Sequence, residues 1–175
     1  MRARDLLPLL VVVAGVLSPV SAAAEPAVVA LWTAPLAGGL AVTRPFDPPP
    51  GPYAAGHRGV DLGGVPRSPV LAAGDGVVVF AGMVAGRPLV SIEHAGSLRT
   101  TYEPVDPSVS AGQQVARGSP IGTLVGGHAG CPRDACLHWG LRRGETYLDP
   151  MALLRPPRVR LLPMSGPSSG SRRRG

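Results

Sequence analysis

Four histidines (57, 94, 128 and 138) and two cysteines (131 and 136) are the residues of this 175-residue chain best suited to metal or proton chemistry. His57 and Asp61 stand four apart across a glycine in HRGVD, enough chain to swing both side chains toward one point where a loop enters a strand. His138 lies far along the chain in a strand-like run and is placed to complete a set of three ligands. Two imidazoles and a carboxylate suit zinc, and a catalytic zinc keeps one position open for water or substrate. By themselves these residues leave the alternative of a hydrogen-bonded surface pair, because imidazole and carboxylate pair readily.

Cys131 and Cys136 are separated by four residues in CPRDAC, directly before His138. In an oxidising compartment a pair this close favours a disulfide, with two free thiols or a metal site as alternatives. The compartment is read from the start of the chain. Arg2 and Arg4 precede an apolar run from Leu6 to Leu17, and Ser21 to Ala24 offer small-residue cleavage sites. That pattern reads as a secretory signal peptide over 1–24, with an uncleaved anchor as the alternative. The run falls short of the roughly 20 apolar residues a membrane-spanning helix needs.

The elements that must position these groups are short strands and tight turns. The chain holds 24 glycines and 21 prolines, and only 4% of its residues are aromatic. A core built from Val, Leu, Ala and Ile follows, with few long helices. The loop over 47–56 (DPPPGPYAAG) cannot be helical, because proline fixes φ and removes a donor. Beyond it, apolar runs over 69–73, 76–81, 88–93, 98–103 and 136–141 are punctuated by turn residues. This spacing predicts an all-β antiparallel sheet or sandwich with glycine-rich loops. The segment 147–154 reads as a short terminal helix or turn, 25–35 as an extended lead-in and 36–154 as the folded domain. The final stretch, 155–175, reads as a disordered tail rich in Arg, Pro, Ser and Gly.

Charge follows the same division. The whole chain carries +6, yet residues 25–150 hold nine arginines against ten acidic residues. Six arginines lie in the tail, so the sequence of the folded body shows no sign of a basic face, and its few aromatics give no stacking platform for bases. Nucleic acid is not expected as a partner.

Three segments together resemble the lysostaphin/LytM-type zinc metallopeptidase family: HRGVDLGGVPRSPVLAAGDGVVVFAG, then VSAGQQVARGSPIGTL, then CLHWGLRRG. They occur in the family's order with similar spacing, and the likeness covers roughly 33–154. The resemblance implies a duplicated-hybrid-motif β fold and one zinc ion held by His57, Asp61 and His138. It further implies a peptide bond of bacterial peptidoglycan as substrate, and a protein secreted or associated with the cell envelope. A monomer is expected.

Two positions depart from the family pattern. Cys136 stands where the family carries a histidine two residues before the last ligand, and Pro104 stands where a Tyr-x-His segment carries another. In the family these histidines are held to assist the reaction, and losing one such donor typically lowers rate by ~10²–10³. Three residues are candidate substitutes. Cys136 shares the strand face of His138; bonded to Cys131 it is neither base nor ligand, and reduced it would be a fourth ligand. Glu103 is a possible base, but strand alternation turns it away from the cleft that position 104 faces. His128, in GGHAGC, is placed to move into the cleft, although an exposed loop histidine is the plainer reading. Arg142 could attract a substrate carboxylate, since a guanidinium fork matches one.

Two functions stay open at this level: an active peptidoglycan endopeptidase, and an impaired relative that binds the wall or regulates a partner cell-wall hydrolase. A third is excluded. The stretch 109–125 looks a little like a biotinyl or lipoyl hairpin, but the chain has no lysine to carry a prosthetic group.

Overall fold

The computed structural model describes residues 31–155 other than Pro52, and the secondary structure among them is nearly all strand. One sheet of eight strands runs in the order β1 (Ala41–Arg44), β2 (Gly59–Gly64), β10 (Ala135–Arg143), β6 (Leu98–Glu103), β5 (Arg87–His94), β4 (Gly76–Val84) and β8 (Gln114–Val115), with β11 (Thr146–Leu148) paired to β10. A second sheet of three strands orders β3 (Pro69–Leu71), β9 (Pro120–Leu124) and β7 (Val105–Pro107). Every ladder is antiparallel. The all-β antiparallel expectation holds. Among the described residues the helical segments are two 3-10 turns, Ala95–Ser97 and Pro150–Leu154; the second takes up 150–154 of the segment read as a helix or turn over 147–154, while Tyr147 and Leu148 belong to β11.

Strand β10 shows how the pattern makes the fold. Leu137, Trp139 and Leu141 alternate into the core, while His138, Gly140 and Arg142 occupy the opposite face. The core contains Val60, Leu62, Val78, Val90, Ile92, Ile121 and Leu124 around Trp139 and Tyr102. With so few aromatics, branched aliphatics fill most of the volume, and these fit a pleated surface well.

One polar chain runs through this core. The His94 Nδ1–H donates to the Asp75 carbonyl at 2.8 Å, and His94 Nε2 lies 2.7 Å from Thr100 Oγ1. Thr100 Oγ1 lies 3.0 Å from Tyr102 Oη, which accepts the Ala73 N–H at 2.9 Å. Burial pushes the His94 imidazole below its ordinary pKa, against the opposing hydrogen bond and charge of Asp75. His94 is thus a structural residue away from the other three histidines. Trp32, in the lead-in, packs edge-on against it at 4.9 Å, and the Thr33 N–H donates to the Ala73 carbonyl. The signal-peptide reading over 1–24 and the tail reading beyond Arg155 lie outside the described residues. Arg155 itself pairs with Asp149 at 2.9 Å.

Candidate metal centre

The proline-rich loop is pinned at its base. The His57 N–H donates to the Asp47 carbonyl at 2.7 Å, and the Asp47 N–H returns a bond to His57 at 3.0 Å. This fixes the backbone of His57 just before β2 begins. The His57 Nδ1–H then donates to the Pro45 carbonyl at 2.7 Å, which leaves the Nε2 lone pair facing inward. Asp61 on β2 and His138 on β10 are direct cross-strand partners, so their side chains share one face.

Three donor atoms meet there. His57 Nε2 lies 3.0 Å from Asp61 Oδ1, His138 Nδ1 lies 2.9 Å from the same oxygen, and the two nitrogens are 3.1 Å apart. His57 and Asp61 are each only 5% exposed. With Nδ1 of His57 committed to Pro45, its Nε2 lone pair points at a carboxylate oxygen. Two lone pairs at that distance repel unless a proton or a metal cation stands between them. The donor set, two imidazole nitrogens and one carboxylate oxygen, fits zinc and leaves coordination open. Burial acts to raise the Asp61 carboxyl, but the His138 hydrogen bond and the charges of His57, His138 and His128 outweigh it and hold the group below its ordinary value.

Glycine makes room for this arrangement. A Cβ on Gly59 would stand 2.5 Å from the Trp139 carbonyl oxygen and 2.8 Å from the His138 ring. Two residues after His57, any larger residue would push against the third member of the trio.

The trio lies beside a cleft of about 510 Å³ walled by His57, His138, Arg87, Glu103, Pro104 and His128. That volume suits a short stretch of peptide. Two expectations change here. Glu103 does face the cleft: it is the direct cross-strand partner of His138, so the two share a face, and β6 ends at Glu103 before alternation can turn Pro104 the opposite way. Arg87 Nε donates to Glu103 Oε1 at 2.8 Å and holds it against the cleft wall. His128 is not an exposed loop residue. Its side chain is 15% exposed, its Nε2 stands 3.7 Å from Asp61 Oδ1, and its ring lies parallel to that of His138 at 6.5 Å. Its Nδ1 is buried without a hydrogen-bond partner among the described residues.

Cys136 shares the His138 face, but its sulfur is bonded to Cys131 and lies 3.6 Å from Thr43 Oγ1, outside the cleft wall. In this state it is neither base nor ligand. The disulfide instead ties β10 to the loop that carries His128, whose carbonyl accepts the Cys131 N–H at 3.2 Å. Arg142 sits four residues beyond His138 on the same strand face. Sequence reasoning missed Arg87 and the Pro45 carbonyl. Neither carries a signal, because their roles depend on which chain segments become neighbours.

A family model described as peptidase family M23 matches residues 55–150. An uncharacterized protein of Mycobacterium tuberculosis is 50% identical over 135 residues, covering 75% of this chain and 54% of that protein. The chain therefore spans about half the length of these curated relatives. The catalytic domain of the antimicrobial peptidase lysostaphin from Staphylococcus simulans superposes with a TM-score of 0.56 at 25% identity, covering 66% of this chain and 92% of that domain. A zinc-containing peptidase from Vibrio cholerae superposes with a TM-score of 0.52 at 26% identity, covering 61% of this chain and 34% of that one.

Proposed function

The chain belongs to peptidase family M23, whose model spans more than half its length, and from that membership we propose a zinc-dependent endopeptidase acting on bacterial peptidoglycan outside the cytoplasmic membrane. The observation that carries this reading is the convergence of the His57, Asp61 and His138 donor atoms at one wall of an open cleft. Bound there, zinc would supply Lewis-acid polarisation of a scissile carbonyl and of water. The remaining work falls to the chain's own groups. The Pro45 carbonyl fixes the tautomer of His57, as an outer partner of a ligating histidine commonly does. Glu103 Oε1, braced by Arg87, and His128 Nε2 are placed to hold or move a proton where Pro104 and Cys136 offer none. The signal-peptide reading and the disulfide support an extracytoplasmic location.

A second reading has its own support. Pro104 and the bonded Cys136 occupy the positions of the assisting histidines, which favours a relative that keeps the fold and metal but regulates a hydrolase or binds the wall. Two measurements test these readings, the first the metal site common to both and the second the difference between them. Metal analysis after dialysis and zinc reconstitution is expected to find about one ion per chain; none would overturn the trio assignment. Digestion of purified peptidoglycan, abolished in His138→Ala, is expected for the enzyme. Zinc binding without digestion would leave the regulatory reading.

A further inference from the structure

A second recess of about 380 Å³ shares His138, Glu103 and Arg87 with the cleft and extends from them along the sheet face. The register of β10 on β6 sets its floor. From the His138–Glu103 pair the next same-face pair is Gly140–Thr101, and the next is Arg142–Arg99. The floor is thus small in the middle and cationic at the far end. Arg58 and Arg87 complete the wall, so four arginines and the single carboxylate of Glu103 line the recess.

Two like charges placed directly opposite on neighbouring strands destabilise a sheet unless something offsets them. Glu93 and Glu145 do so in part. Arg99 Nη2 lies 2.9 Å from Glu93, and Arg142 Nη1 lies 3.4 Å from a Glu145 side chain that is 98% exposed. Both glutamates lie outside the wall of the recess, in an adjoining depression. Each guanidinium has five N–H donors. Arg99 uses only Nη2 in this way, and Arg142 only Nη1, toward Glu145 and the Gly144 carbonyl. The remaining donors of both forks have no partner among the described residues.

We propose that this recess is a carboxylate-recognition subsite. It takes the free carboxylate of a short peptide whose susceptible bond lies at the trio, with the Arg99 and Arg142 forks as the reading groups. The assignment rests on the peptidase reading and narrows its substrate to anionic peptides. Four residues of strand separate His138 from Arg142, roughly 13 Å. An extended peptide covers that span in about four residues, and the reach of an arginine shortens it. The anionic group therefore lies roughly two to four residues from the scissile bond. It is either the terminal α-carboxylate or an acidic side chain.

Binding of dye-labelled tetrapeptides to the zinc-loaded full chain tests this without requiring turnover. Three alanine-based probes are used: the free acid, its C-terminal amide, and the amide with one internal glutamate. At low salt, at least one carboxylate probe is expected to bind about ten-fold tighter than the neutral amide. The tighter of the two identifies the source of the carboxylate. The double variant Arg99→Gln/Arg142→Gln is expected to bring the ratio near one while zinc content and amide binding stay unchanged and the thermal midpoint does not fall. Arg142→Lys, which keeps charge but not the fork, should fall between. Equal binding of all three probes by the native chain would overturn the proposal, as would a ratio unaltered in the double variant. Discrimination without peptidoglycan cleavage would keep the subsite and remove the peptidase reading; cleavage without discrimination would do the reverse.

Discussion

Replacing Gly59 by alanine probes the centre through its packing. The new Cβ would lie 2.5 Å from the Trp139 carbonyl oxygen. Close carbon–oxygen contacts between strands sit at about 3.3 Å, so the overlap is roughly 0.8 Å. The same Cβ would lie 2.8 Å from Cε1 and Nε2 of His138, about 0.7 Å inside an ordinary carbon contact. The carbonyl belongs to the ladder between β10 and β2 and yields little. The imidazole must therefore move, and by more than the ~0.5 Å within which a preorganised site has to be held. Overpacking of this kind costs about 1–3 kcal/mol of stability. Disturbing a ligand's surroundings typically lowers metal affinity about 10- to 100-fold. Thermal unfolding of the metal-free protein and competition with a zinc chelator measure the two effects separately. Gly140→Ala is the internal control. Its Cβ would stand 3.5 Å from the Arg58 carbonyl and 3.8 Å from His138, ordinary contact distances, so the change should stay below about 1 kcal/mol. If Gly59→Ala binds zinc as tightly as the native chain and melts at the same temperature, the packing argument for the seat of His138 is wrong.

Other outcomes are expected. His128→Ala should slow peptidoglycan cleavage by about 10²-fold at unchanged zinc content, since a positioned proton-transfer group contributes at least that much; loss of zinc instead would make His128 a ligand. Reducing the Cys131–Cys136 disulfide, five apart in sequence, should lower stability by about 2 kcal/mol on loop-closure grounds, read as a shift in thermal midpoint with and without reductant. His94 sets a pH dependence. Its folded pKa is depressed, so below about pH 6.5 the unfolded chain binds a proton that the folded one refuses. The His94 contribution is therefore present above that pH and falls as the medium is acidified, by at most about 1.4 kcal/mol per pH unit until the folded pKa is reached. Urea titrations from pH 7 to 5.5 should show this slope in the native chain and a shallower one in His94→Gln.

The strands were legible because glycine and proline punctuate apolar runs, and β5, β6 and β10 fall close to where that punctuation puts them. The trio residues were legible by type and by resemblance, but their meeting was not derivable from spacing, because 77 residues separate Asp61 from His138. The placement of Glu103 lies beyond what one strand's pattern encodes. Alternation within one strand turned it away from the cleft, whereas its placement follows from a partner strand, and register between distant strands leaves no local trace in a single sequence. The inward turn of His128 has the same origin: a glycine-rich loop permits many paths, and the disulfide selects among them. For a similar reason Arg142 was a candidate by type alone, while the pairing with Arg99 opposite it follows from strand register and left no trace in the sequence.

The order of the central strands bears on when the site can exist during synthesis. Asp61 on β2 and Glu103 on β6 flank His138 on β10, and β10 is among the last strands to leave the ribosome. Until then β2 and β6 lack the neighbour that joins them, and the growing chain holds His57 and Asp61 without a third ligand. Such long-range pairing is slow to form, because a large loop must close before any contact offsets its entropy. Assembly of the trio thus waits until His138 has been made, and a polypeptide truncated before residue 135 holds His57 and Asp61 without the third candidate ligand.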